Sequence, residues 1–314
     1  MVMCFPWRER TNPKLQAGTM ANRPVYLAIF GDVHGHLRLM FQLCRHWQLN
    51  NGVHLDGILV CGDLGFFPNL ARLDKATRGL ADRDPEELGF ARYFMLPRPL
   101  EHDPQLERTL RGDPGDLNTV HCPVIFCHGN HEDFEELQRI TGASVFSPVD
   151  FFERVYYLRS GEVTEISGVR VAALGGAPEH EDTVDAPVVG PLVSAWAARR
   201  LRRKSFDILI SHSGPQGAEG CTGSRLLAEV ITHSQPAYNF YAHYTHFVPP
   251  ITLGRTQCFW HADVNFQRVK GAFLGPPEPG CMAVLCWKGP HDHQYSTVDA
   301  PWFRQITATT WRHF

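Results

Sequence analysis

The chain has 314 residues, a formal net charge of -3, and the hydrophobic and charged fractions of an ordinary water-soluble globule. That length buries a substantial core, as one large α/β domain or two small ones, and the near-neutral charge gives no global electrostatic case for nucleic-acid binding. Nine cysteines, an odd number with no C-x-x-C pair, argue against a disulfide framework, and no apolar run has the length of a spanning helix.

Residues 1–22 mix Pro, Arg, Asn and Gly without periodicity and read as a loosely ordered arm. The start lacks a secretory pattern and several cysteines sit inside apolar runs, so the expected setting is reduced and cytoplasmic. Val25 to Phe30 has the composition of a buried strand and leads into Gly31-Asp32-Val33-His34-Gly35-His36. In an open α/β sheet, ligands collect at the carboxyl ends of the strands. An Asp and a His at that edge offer one oxygen and one nitrogen, a mixed set suited to Mn, Fe or Zn. Leu37, Met40, Phe41, Cys44 and Trp47 then fall at helical spacing, which predicts a helix directly after the motif.

The same pattern recurs. Leu55 to Cys61 ends in Gly62-Asp63-Leu64-Gly65, Pro123 to Cys127 ends in His128-Gly129-Asn130-His131-Glu132, and Phe206 to Ile210 ends in Ser211-His212-Ser213-Gly214. A further run closes on Tyr241-Ala242-His243-Tyr244-Thr245-His246. One such motif is unremarkable as a capping Asp or a turn Asn. A succession of strands each stopping at a potential metal ligand beside a turn residue points to a metal centre.

Between these motifs the expectations are coarser. Residues 66–121 carry Pro68, Pro85, Pro97, Pro99, Pro104 and Pro114 with many charges and one helix candidate, Pro85 to Met95. The stretch reads as an insertion too polar and too broken to enter the core, either a mobile lid or a surface excursion. A helix is expected over Glu132 to Ile140. Val155–Leu158, Glu162–Ile166 and Val169–Leu174 alternate with turn glycines as strands of a meander do. Ser194 to Ser205, holding Arg199, Arg200, Arg202, Arg203 and Lys204, reads as a helix with a solvated basic face, and Ser224 to His233 as another helix. Ile251–Trp260 and Cys281–Trp287 are expected as strands closing a second sheet, with Tyr295–Val298 a further candidate.

In order, G-D-V-H-G, G-D, G-N-H-E, a strand-terminal His and a paired-His segment resemble the calcineurin-like metallophosphoesterase superfamily, over about Val25 to His246. Pro123–His131, Val155–Leu158 and Tyr241–Phe247 look most like its RNA lariat-debranching branch. That branch commonly has Cys where this chain has Asp32. The resemblance implies an α/β (α+β) fold of two facing mixed β-sheets flanked by helices, a four-layer αββα sandwich. The domain would span 23–300, include the 66–121 insertion and leave 301–314 as a tail.

It also implies two divalent cations (Mn, Fe or Zn) with Asp63 as the shared ligand. Asp32 and His34 would serve the first cation, and Asn130, His212 and His243 the second. Where another ligand of the first is usual this chain has Thr245, so His246 serves only if the backbone bulges. The nucleophile implied is a hydroxide generated between the cations, with the non-ligand His131 protonating the leaving oxygen or stabilising the transition state. Arg225 and Arg255 are candidates to clamp phosphate. The substrate implied is a phosphate ester, either a nucleotide- or RNA-type diester or a monoester as for a protein phosphatase. A non-catalytic scaffold on the same fold is the alternative from another class.

Overall fold

A computed structural model of the chain describes residues 23–141, 146–180 and 185–313. The arm expected over residues 1–22 lies outside them. The strands in chain order are β1 (Val25–Phe30), β2 (Gly57–Val60), β3 (Val124–Phe126), β4 (Phe146–Pro148), β5 (Val155–Leu158), β6 (Val163–Ile166), β7 (Val169–Leu174) and β8 (Ile208–Ser211). They continue as β9 (Tyr238–Tyr241), β10 (Ile251–Leu253), β11 (Thr256–Trp260), β12 (Phe266–Val269), β13 (Ala272–Pro277), β14 (Met282–Gly289) and β15 (Asp292–Thr297). The α-helices are α1 (Leu37–Asn51), α2 (Lys75–Ala81), α3 (Pro104–Arg111), α4 (Phe134–Thr141), α5 (Ala195–Leu201), α6 (Arg225–Ser234) and α7 (Pro301–Gln305).

Alternation along β1 shows why these strands stack two sheets. Val25, Leu27 and Ile29 point one way, into a core shared with Val171, Ile210 and Phe240 of the second sheet. Ala28 and Phe30 point the other way, against Met40, Phe41 and Cys44 of α1. A strand buried on both faces reads as a continuous apolar run, as β1 does. The first sheet has the order β15-β14-β1-β2-β3-β5-β4 and the second β10-β11-β9-β8-β7-β6. α1, the insertion and the C-terminal residues cover the outer face of the first, and α5 and α6 that of the second. The expected four-layer helix–sheet–sheet–helix arrangement is what the chain adopts.

Register places the site. Phe30 pairs with Val60 and Val60 with Phe126 in parallel, so β1, β2 and β3 end level with one another. In the second sheet β8 and β9 run parallel with Ile210 opposite Phe240. The residues immediately after all these strands therefore lie at one edge.

Several sequence expectations are corrected. Val155 to Leu174 is not one meander: β5 pairs with β3 in the first sheet, whereas β6 and β7 form a hairpin in the second. β14 lies beside β1 in the first sheet rather than closing the second, because its residues Leu285 and Trp287 complete the inter-sheet core. Ile251–Trp260 splits at Gly254 into the hairpin of β10 and β11. Pro85–Met95 is a short 3-10 turn (Pro85–Leu88) and a π turn (Phe90–Phe94) broken at Gly89. The basic run on and after α5, by contrast, keeps its solvent-facing side, and four of its five charges pair with acids: Arg199 with Asp185, Arg202 with Glu229, and Arg200 and Lys204 with Glu162.

The insertion also departs from expectation. Its middle supplies fully buried Phe90, Phe94 and Leu110, and Phe94 stacks on Phe41 of α1 at a centroid distance of 5.7 Å. Polar composition misleads here because the apolar residues, though few, sit on one side of the short helical turns. Likewise the residues after 300 are no separate tail: Phe303, Ile306 and Trp311 are buried in the same cluster. Among the described residues no helix is long and apolar enough to cross a membrane.

Phe94→Ala is expected to lower unfolding stability by about 3–5 kcal/mol, the usual cost of truncating a buried Phe. Urea denaturation checks it; a change within experimental error would mean the insertion is a surface flap after all.

Candidate metal centre at the strand ends

The turn after β1 is tied to the turn after β2. The backbone N–H groups of Val33 and His34 both donate to the carbonyl of Asp63, at 3.0 and 2.7 Å, and Gly35 N–H donates to Leu64 O at 2.9 Å. Three site residues, His34 (φ +43°), Asp63 (φ +32°) and His243 (φ +71°), adopt left-handed backbone that side chains other than glycine disfavour. Such conformations persist only where surrounding structure over-determines them, and they cluster at functional sites.

Asp63 lies at the centre. Its Oδ1 accepts the backbone N–H of His131 at 2.7 Å. Its Oδ2 faces His212 Nε2 at 3.5 Å and His34 Nε2 at 3.9 Å. Ligand atoms of Asp32, His34 and Asp63 lie within 4.8 Å of one another. On the other side, His212 Nε2 is 2.7 Å from Asn130 Oδ1 and 3.0 Å from His243 Nδ1. Asp32 joins the two groups, for its Oδ2 accepts the backbone N–H of His243 at 3.0 Å. Six of the sequence candidates thus converge from both sheets, three as Asp32, His34 and Asp63 and three as Asn130, His212 and His243.

Close approach depends on glycines. A Cβ at Gly62 would run into the His212 ring, and one at Gly129 into the Asp63 carboxylate. The donor set fits a cation on a further ground: Asp32 Oδ1 and His212 Nδ1 are buried, and neither makes a hydrogen bond although they lie 3.2 Å apart. Two carboxylates, an amide oxygen and three imidazoles match the mixed preference of Mn, Fe and Zn.

Charge is concentrated here. Burial alone would strip the proton from His34, but Asp63, Glu87, Asp32 and Asp263 outweigh it and push the imidazole up to about 9. His212 is likewise pushed up to about 9, burial being overcome by Asp63 and Asp32. Burial would raise the Asp63 carboxyl, yet His212, His34 and His131 together hold it below the usual range. Burial and then the neighbouring His212 push His243 down to about 4. Around Asp63 and Asp32 the site therefore favours positive charge, whereas at His243 burial and the neighbouring His212 oppose it.

His131 stands apart from the ligand groups. It is partly exposed, and its Nδ1 lies 3.1 Å from Asp74 Oδ2. Glu132 is a strut: its two oxygens accept the backbone N–H groups of Leu64 and Phe66 at 2.8 and 2.6 Å. The remaining candidates are not brought in. His246 is exposed, with Nε2 2.8 Å from Gly220 O. Arg225 pairs with Glu229 on its own helix. Arg255 opens β11 at the opposite edge of the sheet, where its Nε donates to Gln235 O at 2.6 Å.

Three carboxylates escaped the sequence reading. Asp74 and Glu87 belong to the insertion, where no motif marks them. Asp263 follows β11, a strand that runs parallel to β9 and ends at the same edge; applying the strand-end rule once more would have found it. Burial, then Asp32, pushes its carboxyl up to about 7.

Residues 25–246 match the family model of the calcineurin-like phosphoesterases. The chain is 24% identical over 251 residues to the lariat debranching enzyme of Drosophila melanogaster, covering 69% of this chain and 42% of that protein. It is 24% identical over 253 residues to the lariat debranching enzyme of Danio rerio, covering 69% and 39%. It therefore spans about two fifths of the length of these curated relatives. Among solved structures, the anchor in the inner membrane complex of Plasmodium superposes with a TM-score of 0.51 at 10% identity, covering 90% of this chain and 87% of that one.

Asp63→Asn keeps the size of the side chain but removes the charge common to both ligand groups. Metal uptake from Mn, Fe or Zn, read by elemental analysis after reconstitution, should fall sharply, and Gly129→Ala should act in the same direction by displacing that carboxylate. Undiminished uptake in Asp63→Asn would refute a site centred on this residue.

Proposed function

Because the chain belongs to the calcineurin-like phosphoesterase family, we propose that it is a dinuclear metal-dependent hydrolase of phosphate esters. The observation that carries this reading is the convergence of Asp32, His34, Asp63, Asn130, His212 and His243 beside a histidine held outside the ligand groups. Asp32, His34 and Asp63 would hold one cation, and Asp63, Asn130, His212 and His243 the other. When bound, two divalent cations supply Lewis acidity and an activated water for in-line displacement at phosphorus.

The chain's own residues do the rest. His131 donates a proton to the leaving oxygen, general-acid work to which an imidazole side chain is suited. Asp74 accepts from His131 Nδ1–H and so presents Nε2 to the substrate. Glu132 keeps the second and third turns together. The convergence of six ligand candidates and the placement of His131 beside them favour an enzyme over a scaffold.

Within that class the substrate we favour is a nucleotide- or RNA-type phosphodiester. Resemblance to lariat debranching enzymes supports it. So does Phe247, 68% exposed and packed edge-on against Trp260 just beyond His243, since exposed aromatic rings are sequence-tolerant platforms for bases. Asp32, standing where the debranching branch commonly has Cys, leaves a branched RNA itself to be tested rather than carried over. A phosphomonoesterase is the second reading, consistent with the same centre.

Metal-reconstituted protein assayed on bis-aryl and mono-aryl phosphates, then on branched RNA and cyclic nucleotides, separates these readings; preference for the mono-aryl ester would overturn the diesterase. His131→Ala should slow turnover by ~10²–10⁴-fold while both cations remain bound. Loss of metal in that variant would make His131 a ligand and the assignment wrong.

A further inference from the structure

His34 has two ring nitrogens, and each faces a different carboxylate. Nε2 faces Asp63 Oδ2 at 3.9 Å, inside the proposed ligand group. Nδ1 faces Glu87 Oε2, also at 3.9 Å, on the side away from that group. Glu87 is 5% exposed, and its Oε2 is buried without a hydrogen-bond partner. An unpartnered buried carboxylate oxygen is costly, so it calls for an explanation.

The neighbourhood of Glu87 is not adaptable filler. The backbone carbonyls of Glu86 and Glu87 pack directly on Gly35, beside His34. One turn earlier, Asp84 Oδ2 lies 3.1 Å from His36 Nε2. Adjacent Glu86, by contrast, faces away, toward Arg92 at 3.1 Å and Arg312 at 2.9 Å. The insertion therefore holds one specific acid against the outer nitrogen of one site histidine.

We propose that Glu87 is the positioning residue of His34: when Nε2 binds a cation, Glu87 Oε2 closes the 3.9 Å gap and accepts a hydrogen bond from Nδ1–H, fixing the tautomer whose Nε2 lone pair is free for that cation. The inference rests on the metal-centre reading above. Histidine ligands commonly donate their second ring N–H to such a carboxylate, and loss of that partner weakens metal affinity. Asp63 and Asp32 cannot fill this role, since both lie on the ligand side of the ring. Here the partner comes from the insertion, so the segment that looks like an ornament in the sequence helps to build the centre.

The test uses the full chain labelled with 15N-histidine and loaded with Zn2+, a diamagnetic cation. Long-range 1H–15N spectra should show His34 as the Nδ1–H tautomer with a slowly exchanging N–H. In Glu87→Ala that protection should vanish, and Zn2+ affinity measured by chelator competition should drop by roughly 10–100-fold. Glu87→Gln retains an acceptor oxygen and should recover affinity, whereas Glu86→Gln should bind Zn2+ like the parent. A merely structural residue would instead lower the melting temperature of the metal-free protein; Glu87→Ala should not. Parental Zn2+ affinity in Glu87→Ala, or an Nε2–H tautomer at His34, would overturn the proposal. Failure of the parent chain to take up any cation would instead overturn the metal-centre reading on which it stands.

Discussion

The carboxylate of Asp63 is the point at which the two sheets, the turns and the charges of this molecule meet. It accepts the His131 backbone N–H from the turn after β3, faces His34 from the turn after β1, and faces His212 from the end of β8. None of these neighbours is close in sequence. They meet because parallel strands in each sheet end level and because the two sheets stack through one apolar core. A shift of one residue in the pairing of β2 would turn its inward set outward and carry Asp63 away with it.

Assembling such a site is unfavourable by itself. Buried charges lose hydration, left-handed backbone at His34, Asp63 and His243 is strained, and Asp32 Oδ1 and His212 Nδ1 are left without hydrogen bonds. What offsets this is the apolar interior underneath, in which β1, β2 and β3 are buried on both faces. A fully buried Leu, Ile or Phe contributes about 1.5–3 kcal/mol, and many such residues surround the strands that carry the site. Stability is concentrated below the edge and strain at it, a division suited to a centre that must bind charge.

The insertion changes what the edge can do. Through Phe90, Phe94 and Leu110 it belongs to the core, and through Asp74 and Glu87 it faces His131 and His34. The C-terminal residues reinforce it: Arg312 pairs with Glu86, and Trp311 lies under the guanidinium of Arg38, which pairs with Asp103 of the insertion. A segment anchored in this way is part of the wall of the site. Residues far apart along the chain therefore act on the same two histidines.

Much of this was legible in the chain itself. Apolar runs of strand length ending in Asp32, Asp63, Asn130, His212 and His243 encode both a buried parallel strand and a ligand at its carboxyl end, because both depend on local composition and on the turn glycines beside them. Helix α1 could be read from apolar spacing, with Gly52 in the left-handed conformation that ends it. Tertiary structure alone decided which sheet each strand joins, since β5 and β6, or β14 and β11, look alike in periodicity and differ only in the partner they find. It alone turned His246 and Arg255 away, and it alone set Asp74 and Glu87 beside histidines 57 and 53 residues distant in sequence. Hydrophobic pattern is a local property and can be read along the chain. The meeting of a carboxylate with an imidazole across a fold depends on register and packing, which no single segment contains.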